Sequence, residues 1–399
     1  MSILTKGIFI VAAKRTPFGK MGGSYTNKSM TELSVIASNA AMQAANLKPE
    51  QIDNVVFGNV LSASSSDGAF MPRHVLLKCG ISLDKPALGV NRLCGSGFQA
   101  IVSGAQSILT GEAKVVLTGG AENMSQMPFV VRNVRFGTAL GAKYEFEDSL
   151  WVGLHDTHCG LPMGMTAEKL GAQFGITREE VDQFALRSQH QWKIANDGGY
   201  FKAEMAPVTL KIKKTEKILD VDEHPRPQTK IEDLTKLPSI FKKDGLVTAG
   251  TASGVCDGAG ALIIASEEAV QANGLKPLAR LVGYSTVGVD PSIMGIGPSP
   301  AIKNLLKVAG KCLNDIELIE INEAFGAQTL ACAKDLGLDF NKLNVNGGAI
   351  ALGHPLAASG ARITAHLVHE LRRRNAGKFG IGSACIGGGQ GIAVLVEAL

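Results

Sequence analysis

Cys94 lies in a glycine-rich turn between an apolar strand, 87–90, and a segment with helical periodicity. In that segment, Ile101 and Ile108 belong to a set of apolar residues at three- and four-residue spacing. The start of a helix presents unpaired N–H groups and the positive end of the helix dipole, and both favour a thiolate over a thiol. We therefore predict that Cys94 is a nucleophile with a stabilised thiolate. The alternative is a buried structural cysteine.

Three later segments contain residue types that would complete a site around Cys94. His354 lies in a Gly-His-Pro loop, and histidine is the usual activator of a thiol nucleophile. Cys385 precedes Gly387 and two further glycines, whose backbone N–H groups are able to bind an oxyanion at close range. Asn322 ends a strand and offers an amide to orient a water or a carbonyl. Each residue alone has a structural explanation, but their joint occurrence favours a catalytic site.

The elements that must position these residues alternate between strands and helices. A buried strand is predicted over 7–13, and a capping box from Ser29 to Glu32 starts the first helix. Further strands are predicted over 54–57 and 114–118, with helices between them. This alternation predicts an α/β fold with crossover connections on a mainly parallel sheet.

The last third of the chain repeats the pattern of the first third. Val90-Asn91 precedes Ser96-Gly97 and a helix, and Val345-Asn346 precedes Ser359-Gly360 and a helix. In each half a strand follows that is expected to end in glycines, at Gly120 and at Gly382. Duplication explains this repeat, and two similar halves place equivalent turns near a pseudo-twofold axis. We therefore expect His354 to face Cys94.

Between the two repeats the alternation of strands and helices breaks. The region 121–251 contains both tryptophans and a helical run over 177–196, which indicates a domain inserted into the first half. The predicted organisation is a first half, an inserted loop domain, the return of the first half and a second half, with boundaries 1–122, 123–252, 253–276 and 277–399.

Composition excludes several classes of protein. The net charge of +4 is too small to argue for nucleic acid binding. Seven cysteines without a C-x-x-C pair argue against a disulfide framework and against a zinc site, so no metal is predicted. No apolar run approaches the roughly 18–20 residues of a membrane helix, so no integral membrane segment is expected. The basic, acid-free start is typical of mitochondrial targeting segments, although a strand at 7–13 argues against its removal.

Four segments together resemble the signatures of the thiolase family, and most closely those of the mitochondrial 3-ketoacyl-CoA thiolases. They occur in the family's order and spacing and cover the chain almost from end to end. The four are Asn91-Arg92-Leu93-Cys94-Gly95-Ser96-Gly97, Asn322-Glu323-Ala324-Phe325, Asn346-Gly347-Gly348-Ala349-Ile350-Ala351-Leu352-Gly353-His354-Pro355 and Cys385-Ile386-Gly387-Gly388-Gly389.

The resemblance implies a fold and a set of residue roles. The fold is a duplicated βαβαβαββ core in five αβαβα layers with a loop domain over the site. Cys94 becomes acylated, His354 activates it, and Cys385 is the acid and base at the acetyl carbon. His354 and a water held by Asn322 form one oxyanion hole, and the N–H groups of Cys94 and Gly387 form the other. Three departures from the family pattern affect pocket shape and remove no reacting group: Ala357, Gly326 and Thr251.

The resemblance also implies the ligands and the assembly. Met163, Arg226 and Ser253 match positions that bind CoA, and Met294 matches a position that borders the acyl pocket. CoA and acyl-CoA are expected as substrates with no permanently bound cofactor, in a homotetramer of the mitochondrial matrix, with the cytoplasm as the alternative location. The expected reaction is thiolytic cleavage of 3-ketoacyl-CoA in fatty acid β-oxidation.

Proteins with other functions share some of these residues. An acetoacetyl-CoA thiolase working toward condensation would use the same catalytic residues. Decarboxylating ketosynthases and chalcone-type synthases share a cysteine and a histidine but lack the second cysteine, so Cys385 argues against them. A non-catalytic scaffold or nucleic acid-binding relative would normally lack Cys94, His354 or Cys385, and all three are present.

Overall fold

Nine strands and eight helices form the framework of the computed structural model, which describes residues 2–4, 6–212, 214–375 and 377–399. The strands are β1 (Ile8–Arg15), β2 (Asn54–Gly58), β3 (Ala87–Val90), β4 (Val115–Asn123), β5 (Cys256–Ser266), β6 (Ala279–Gly288), β7 (Ile316–Ile321), β8 (Phe379–Ile386) and β9 (Gln390–Ala398). The helices are α1 (Met30–Ala45), α2 (Met71–Lys78), α3 (Ser96–Leu109), α4 (Met163–Gln173), α5 (Arg178–Asp197), α6 (Pro298–Ala309), α7 (Gly326–Leu336) and α8 (Leu356–Arg374).

Local sequence signals place several of these elements correctly. Helix α1 begins at the predicted capping box, in which the Ser29 side chain accepts from the N–H of Glu32 and the Glu32 carboxylate accepts from the N–H of Ser29. The expectation that strands end at Gly120 and Gly382 is wrong, because β4 and β8 continue beyond these glycines. A side chain at Gly120 would collide with the carbonyl oxygen of Ala357, so this glycine allows a helix to approach the strand.

The strands follow one order through both halves of the chain. That order is β7-β8-β9-β6-β1-β5-β4-β2-β3. Strand β4 is parallel to β2 and antiparallel to β5, and in the second half β8 is parallel to β7 and antiparallel to β9. The first half therefore has the predicted βαβαβαββ arrangement, whereas in the second half an isolated bridge between Ile319 and Leu343 takes the place of the third strand. The strand pairing is mixed, so the expectation of a mainly parallel sheet is wrong. The halves meet where β1 and β6 pair through a short antiparallel register.

Alternating side chains of the central strands define the layers. Along β5, Ile263 packs into a cluster with α1, whereas Leu262 and Ile264 pack into a central cluster. Along β9, Leu395 packs into a cluster with α6, whereas Val394 faces the central cluster. The strands of each half form one sheet, and the two sheets join where β1 and β6 pair. The central cluster contains residues of α3 and α8, so these two helices lie between the two sheets. The layer order is αβαβα, as the family resemblance implies.

Helices α3 and α8 approach each other at a pair of glycines. A Cβ atom at Gly97 would lie 2.5 Å from the carbonyl oxygen of Ala357 and 2.6 Å from the nitrogen of Ala361. A Cβ atom at Gly360 would lie 2.3 Å from the nitrogen of Phe98. Only hydrogen fits at both positions, so the two helix backbones touch where the two halves of the chain meet.

Between β4 and β5 the chain forms α4, α5 and several short elements. These are the strands Phe129–Val130, Glu147–Asp148, His155–Asp156, Leu161–Pro162, Val208–Ile212 and Thr215–Leu219 and the helices Ser149–Gly153 and Ile231–Thr235. Buried ion pairs fix this segment to the core, because Arg15 of β1 pairs with Glu204 and Asp222 at 2.6 Å each. Among the described helices, none is both long enough and apolar enough to cross a membrane.

Candidate active site

Cys94 is held at the tip of a strained turn between β3 and α3. The preceding residue, Leu93, has φ of 45°, a left-handed conformation that is uncommon for a branched side chain. Three hydrogen bonds with side chains help to hold the turn: the N–H of Leu93 donates to Asn91 Oδ1, the N–H of Arg92 donates to Ser96 Oγ, and Ser96 Oγ donates to the carbonyl of Leu93. The turn leaves Cys94 partly accessible, whereas its neighbours Gly95 and Ser96 are buried.

The predicted stabilisation of the Cys94 thiolate is wrong for the free protein. Burial raises the pKa of the Cys94 thiol to about 11, against the opposing effect of N–H groups of Gly387 and of Cys94 itself. The nearby carboxylate of Glu122 raises the pKa further. Because the loss of hydration outweighs the helix terminus, Cys94 is a protonated thiol at neutral pH.

Cys385 lies close to Cys94 but is fully buried in β8. Burial holds the pKa of its thiol well above the usual range, and proximity to Cys94 adds to the shift. Gly387 follows at the end of the strand, where a Cβ atom would lie 3.3 Å from Leu93 Cδ1 and 3.4 Å from Met163 Sδ. The second cysteine and its glycine turn therefore pack directly against the turn that carries Cys94.

His354 is buried, and its ring is fixed by two polar side chains. Its Nδ1 lies 2.6 Å from the hydroxyl of Ser359, and the amide nitrogen of Asn322 lies 3.4 Å from its Nε2. Burial lowers the pKa of His354 to about 4, so the ring is neutral at physiological pH. In the described residues His354 and Cys94 share no hydrogen bond, but Leu356, two positions after His354, packs in one apolar cluster with Cys94.

The loop that carries His354 depends on a glycine. Gly353 has φ of 91°, and a Cβ atom there would lie 2.4 Å from the sulfur of the buried Cys256. The N–H of His354 donates to the carbonyl of Gly254 at 2.9 Å. The chain at 254–256, where β5 begins, therefore packs against the histidine loop, and only glycine fits at position 353.

Asn322 has one polar atom without a partner. Its backbone N–H donates to the carbonyl of Ser383, which fixes the residue at the end of β7 beside β8. Its side-chain Oδ1 is buried and has no hydrogen-bond partner among the described residues. A buried unpaired amide oxygen is costly, and such groups are commonly found where a ligand or water binds.

Three of the four predicted CoA and acyl-pocket residues lie next to Cys385. Met294 shares an apolar cluster with Cys385, and Met163 packs against the same cluster. The N–H of Ser253 donates to the carbonyl of Ala324, which is also in that cluster. Arg226 is exposed, and its N–H donates to Gln189 Oε1. No contact in the described residues connects Arg226 with either cysteine.

Two residues beside the site were missed by the sequence analysis. Ser359 was noted only as the counterpart of Ser96 in the repeat, yet Ser96 supports the cysteine turn and Ser359 supports the histidine ring. Glu122 was not noted at all, although its buried carboxylate lies near Cys94. Within the described residues, no group of three or more His, Cys, Asp and Glu side chains could hold a metal ion.

Two protein-family models match this chain. The model of the thiolase N-terminal domain matches residues 8–268, and that of the thiolase C-terminal domain matches residues 275–398. These matches span nearly the whole chain, so the protein belongs to the thiolase family.

Particular relatives narrow the similarity. The chain is 60% identical over 395 residues to human mitochondrial 3-ketoacyl-CoA thiolase, with 99% of each chain covered. It is 44% identical over 400 residues to acetyl-CoA acetyltransferase from Syntrophomonas wolfei, with 99% of this chain and all of the relative covered. The crystal structure of the human thiolase in complex with CoA superposes with a TM-score of 0.97, covering 100% of this chain and 99% of that chain at 60% identity.

The raised pKa of Cys94 makes a prediction for its alkylation by iodoacetamide. Only the thiolate reacts with iodoacetamide. Because the pKa of Cys94 is about 11, the alkylation rate should rise about 10-fold per pH unit between pH 7 and 9. Mass spectrometry of the peptide that contains Cys94, after brief exposure to the reagent, measures this rate.

The urea-denatured protein provides the control. There Cys94 has an ordinary pKa of about 8.5, so its rate should level off above pH 9. A folded protein whose Cys94 alkylation rate is already constant between pH 6 and 8 would contradict the assignment of a protonated thiol.

Proposed function

We propose that the protein is a degradative 3-ketoacyl-CoA thiolase, in which CoA cleaves a 3-ketoacyl-CoA to acetyl-CoA and an acyl-CoA shortened by two carbons. The observation that carries this proposal is the pair of thiols in one site, of which Cys94 is partly accessible and Cys385 is buried. Breaking the bond between C2 and C3 requires a nucleophile at C3 and a proton donor at C2. Two thiols at different depths match these two requirements.

In the first half-reaction, Cys94 attacks C3 and its proton passes to His354. The bond between C2 and C3 then breaks, Cys385 gives its proton to C2, and acetyl-CoA leaves. In the second half-reaction, the thiol of CoA gives its proton to Cys385 and attacks the acyl group on Cys94. Cys94 leaves as a thiolate and recovers its proton from His354. The steps balance without a redox change or a metal, so we propose CoA thioesters as substrates and no permanent cofactor.

The protonation states of the free protein support this sequence of events. Cys94 and His354 are both neutral, because burial raises one pKa and lowers the other. Proton transfer between them is therefore unfavourable until the sulfur bonds to the substrate, when the charge moves to the carbonyl oxygen. Cys385 starts as a thiol with a raised pKa, which suits a group that must hold a proton until C2 becomes a carbanion.

Two sets of donors are suited to stabilise the oxygen anions. We propose that Asn322 binds a water through its unpaired Oδ1, and that this water and His354 form one oxyanion hole. The N–H groups of Cys94 and Gly387 form the other, which is supported by their shared effect on the Cys94 sulfur. In the described residues neither N–H donates to a backbone carbonyl.

We propose that CoA binds along the inserted segment, 123–252, and the start of β5. Met163 and Met294 would line the acyl end, because both pack beside Cys385. Ser253 would contact the pantetheine arm next to the cysteines, and the exposed Arg226 would pair with a phosphate of the nucleotide. A relative with 60% identity has been solved in complex with CoA, which supports this assignment.

The surface supports an oligomer, which we propose to be a homotetramer. Strand β3 lies at the edge of the sheet with Leu88 exposed, and an unpaired apolar edge strand favours pairing with another chain. Exposed apolar side chains are also concentrated in the inserted segment: Phe129, Phe136, Leu140, Phe146 and Trp151.

We propose the mitochondrial matrix as the location of the protein, since the relatives with about 60% identity are named mitochondrial.

A series of 3-ketoacyl-CoA substrates of increasing chain length tests the proposed function. We expect CoA-dependent cleavage with kcat/KM higher for 3-ketoacyl chains of six or more carbons than for the four-carbon substrate. Acetyl-CoA acetyltransferases are more distant relatives, at 44–45% identity, which makes the four-carbon specialist the second candidate. Cleavage confined to the four-carbon substrate would favour that candidate, and no cleavage of any chain length would reject both.

Ser359 provides a second test, because its hydroxyl holds the ring of the proposed base. Ser359→Ala should lower kcat about 10-fold through loss of one hydrogen bond to a buried ring, with KM nearly unchanged. Steady-state kinetics measures both constants.

Ser285→Ala is the matched control, since the Ser285 hydroxyl is buried and has no partner among the described residues. Its kcat should equal that of the parent. Equal kcat values for the two variants would remove Ser359 from the site.

A further inference from the structure

When the two halves are aligned by the register of their strands, a second set of residues corresponds to those of the active site. In the first half Gly58 pairs with Gly120, and in the second half Ile321 pairs with Ser383. A constant spacing of 263 residues connects Gly58 with Ile321, Gly120 with Ser383 and Ser96 with Ser359. The same spacing gives three of the proposed catalytic residues a counterpart: Ala357 for Cys94, Asn59 for Asn322 and Glu122 for Cys385.

The counterpart of Cys385 is the carboxylate of Glu122, which accepts hydrogen bonds from four donors. Oε1 of the fully buried Glu122 accepts from Asn59 Nδ2 at 2.9 Å and from the N–H of Leu61 at 2.8 Å. Oε2 accepts from the N–H of Val60 at 3.2 Å and from the N–H of Ala357 at 3.3 Å. Two of these donors, Asn59 and Ala357, are themselves counterparts of catalytic residues. The counterpart residues Asn59, Ala357 and Glu122 are therefore joined to one another by hydrogen bonds.

These hydrogen bonds connect the surroundings of both reacting groups. Val60 and Leu61 pack in the apolar cluster that contains Cys94. Ala357 lies in the first turn of α8, three residues after His354. The carboxylate of Glu122 thus bridges the loop beside the nucleophile and the helix that follows the base, across the boundary between the two halves.

We propose that Glu122 is a positioning residue, which sets the placement of His354 relative to Cys94 by holding the 59–61 loop against the first turn of α8. This inference rests on the acyl transfer proposed above. Glu122 touches no reacting atom, so its contribution is to geometry. In the second half the equivalent position is Cys385, which takes part in the reaction instead of holding the two halves together.

Although Glu122 favours turnover through its hydrogen bonds, its negative charge disfavours the thiolate of Cys94. The carboxylate raises the pKa of the Cys94 thiol, so its removal makes the thiolate easier to form. Burial raises the pKa of Glu122 to about 7, against the effect of its four donors, so the group is mostly ionised at pH 8. Loss of Glu122 should therefore harm turnover while leaving direct alkylation of Cys94 intact or faster.

Glu122→Gln at pH 8 tests the proposal. The amide has nearly the same shape, but its NH2 group must face either Asn59 and Leu61 or Val60 and Ala357, so at least two hydrogen bonds are lost. We expect kcat for cleavage to fall about 10-fold or more with KM within about twofold of the parent. Alkylation of Cys94 by iodoacetamide should be at least as fast as in the parent. A kcat within twofold of the parent, or alkylation that falls in step with kcat, would overturn the proposal.

Two further variants keep the test decisive. Asn59→Ala removes one of the four donors and should lower kcat in the same direction by about threefold, so an unchanged kcat would contradict the proposal even if Glu122→Gln does not fold. Asp257→Asn is the matched control: this carboxylate is buried on the neighbouring strand and bonds Ser125, so kcat should be unchanged. An inactive parent would instead reject the proposed function itself.

Discussion

The contact between Gly97 and Gly360 is the constraint on which the rest of the structure depends. Because neither glycine has a side chain, α3 and α8 touch backbone to backbone between the two sheets. This approach brings the cysteine turn before α3 to the histidine loop before α8. It also places the end of β4 at the start of α8, where Glu122 accepts from the N–H of Ala357, and the end of β8 at the cysteine turn, where Gly387 packs against Leu93. One close helix crossing therefore assembles a site from both halves of the chain.

Burial decides the chemical state of that assembled site. A helix terminus and two backbone N–H groups would favour a thiolate at Cys94 in an open site, yet the thiol stays protonated because its charged form is poorly solvated. The same effect keeps His354 neutral and Cys385 protonated. The free protein thus stores both protons that the proposed cleavage moves, and substrate binding has to start their transfer.

The sequence predicted the fold and most site positions because both depend on local signals and on motif spacing. Capping residues and apolar periodicity predicted alternating strands and helices, and the repeated Ser-Gly pair predicted two similar halves, whereas the five-layer arrangement was implied by the resemblance to the thiolase family. The pKa of Cys94 could not be predicted, because it depends on how completely distant segments such as 385–387 cover the turn. Glu122 was missed because a lone glutamate has no motif, although aligning the halves at a spacing of 263 residues sets it against Cys385. Ser359 and His354 were both noted in the sequence, but the hydrogen bond between them was not predicted.

The central claim is that two thiols in one site have separate tasks, and isotope exchange between labelled CoA and acetyl-CoA tests it most directly. Exchange makes and breaks only a thioester on Cys94 and produces no carbanion, so Cys385 keeps its proton throughout. The proton that moves in exchange passes between Cys94, His354 and the sulfur of CoA, so exchange does not need Cys385. Cys385→Ala should keep exchange and lose ketoacyl cleavage, Cys94→Ala should lose both, and the exposed-thiol control Cys312→Ala should keep both. Loss of exchange in a folded Cys385→Ala protein, as complete as in Cys94→Ala, would contradict this account.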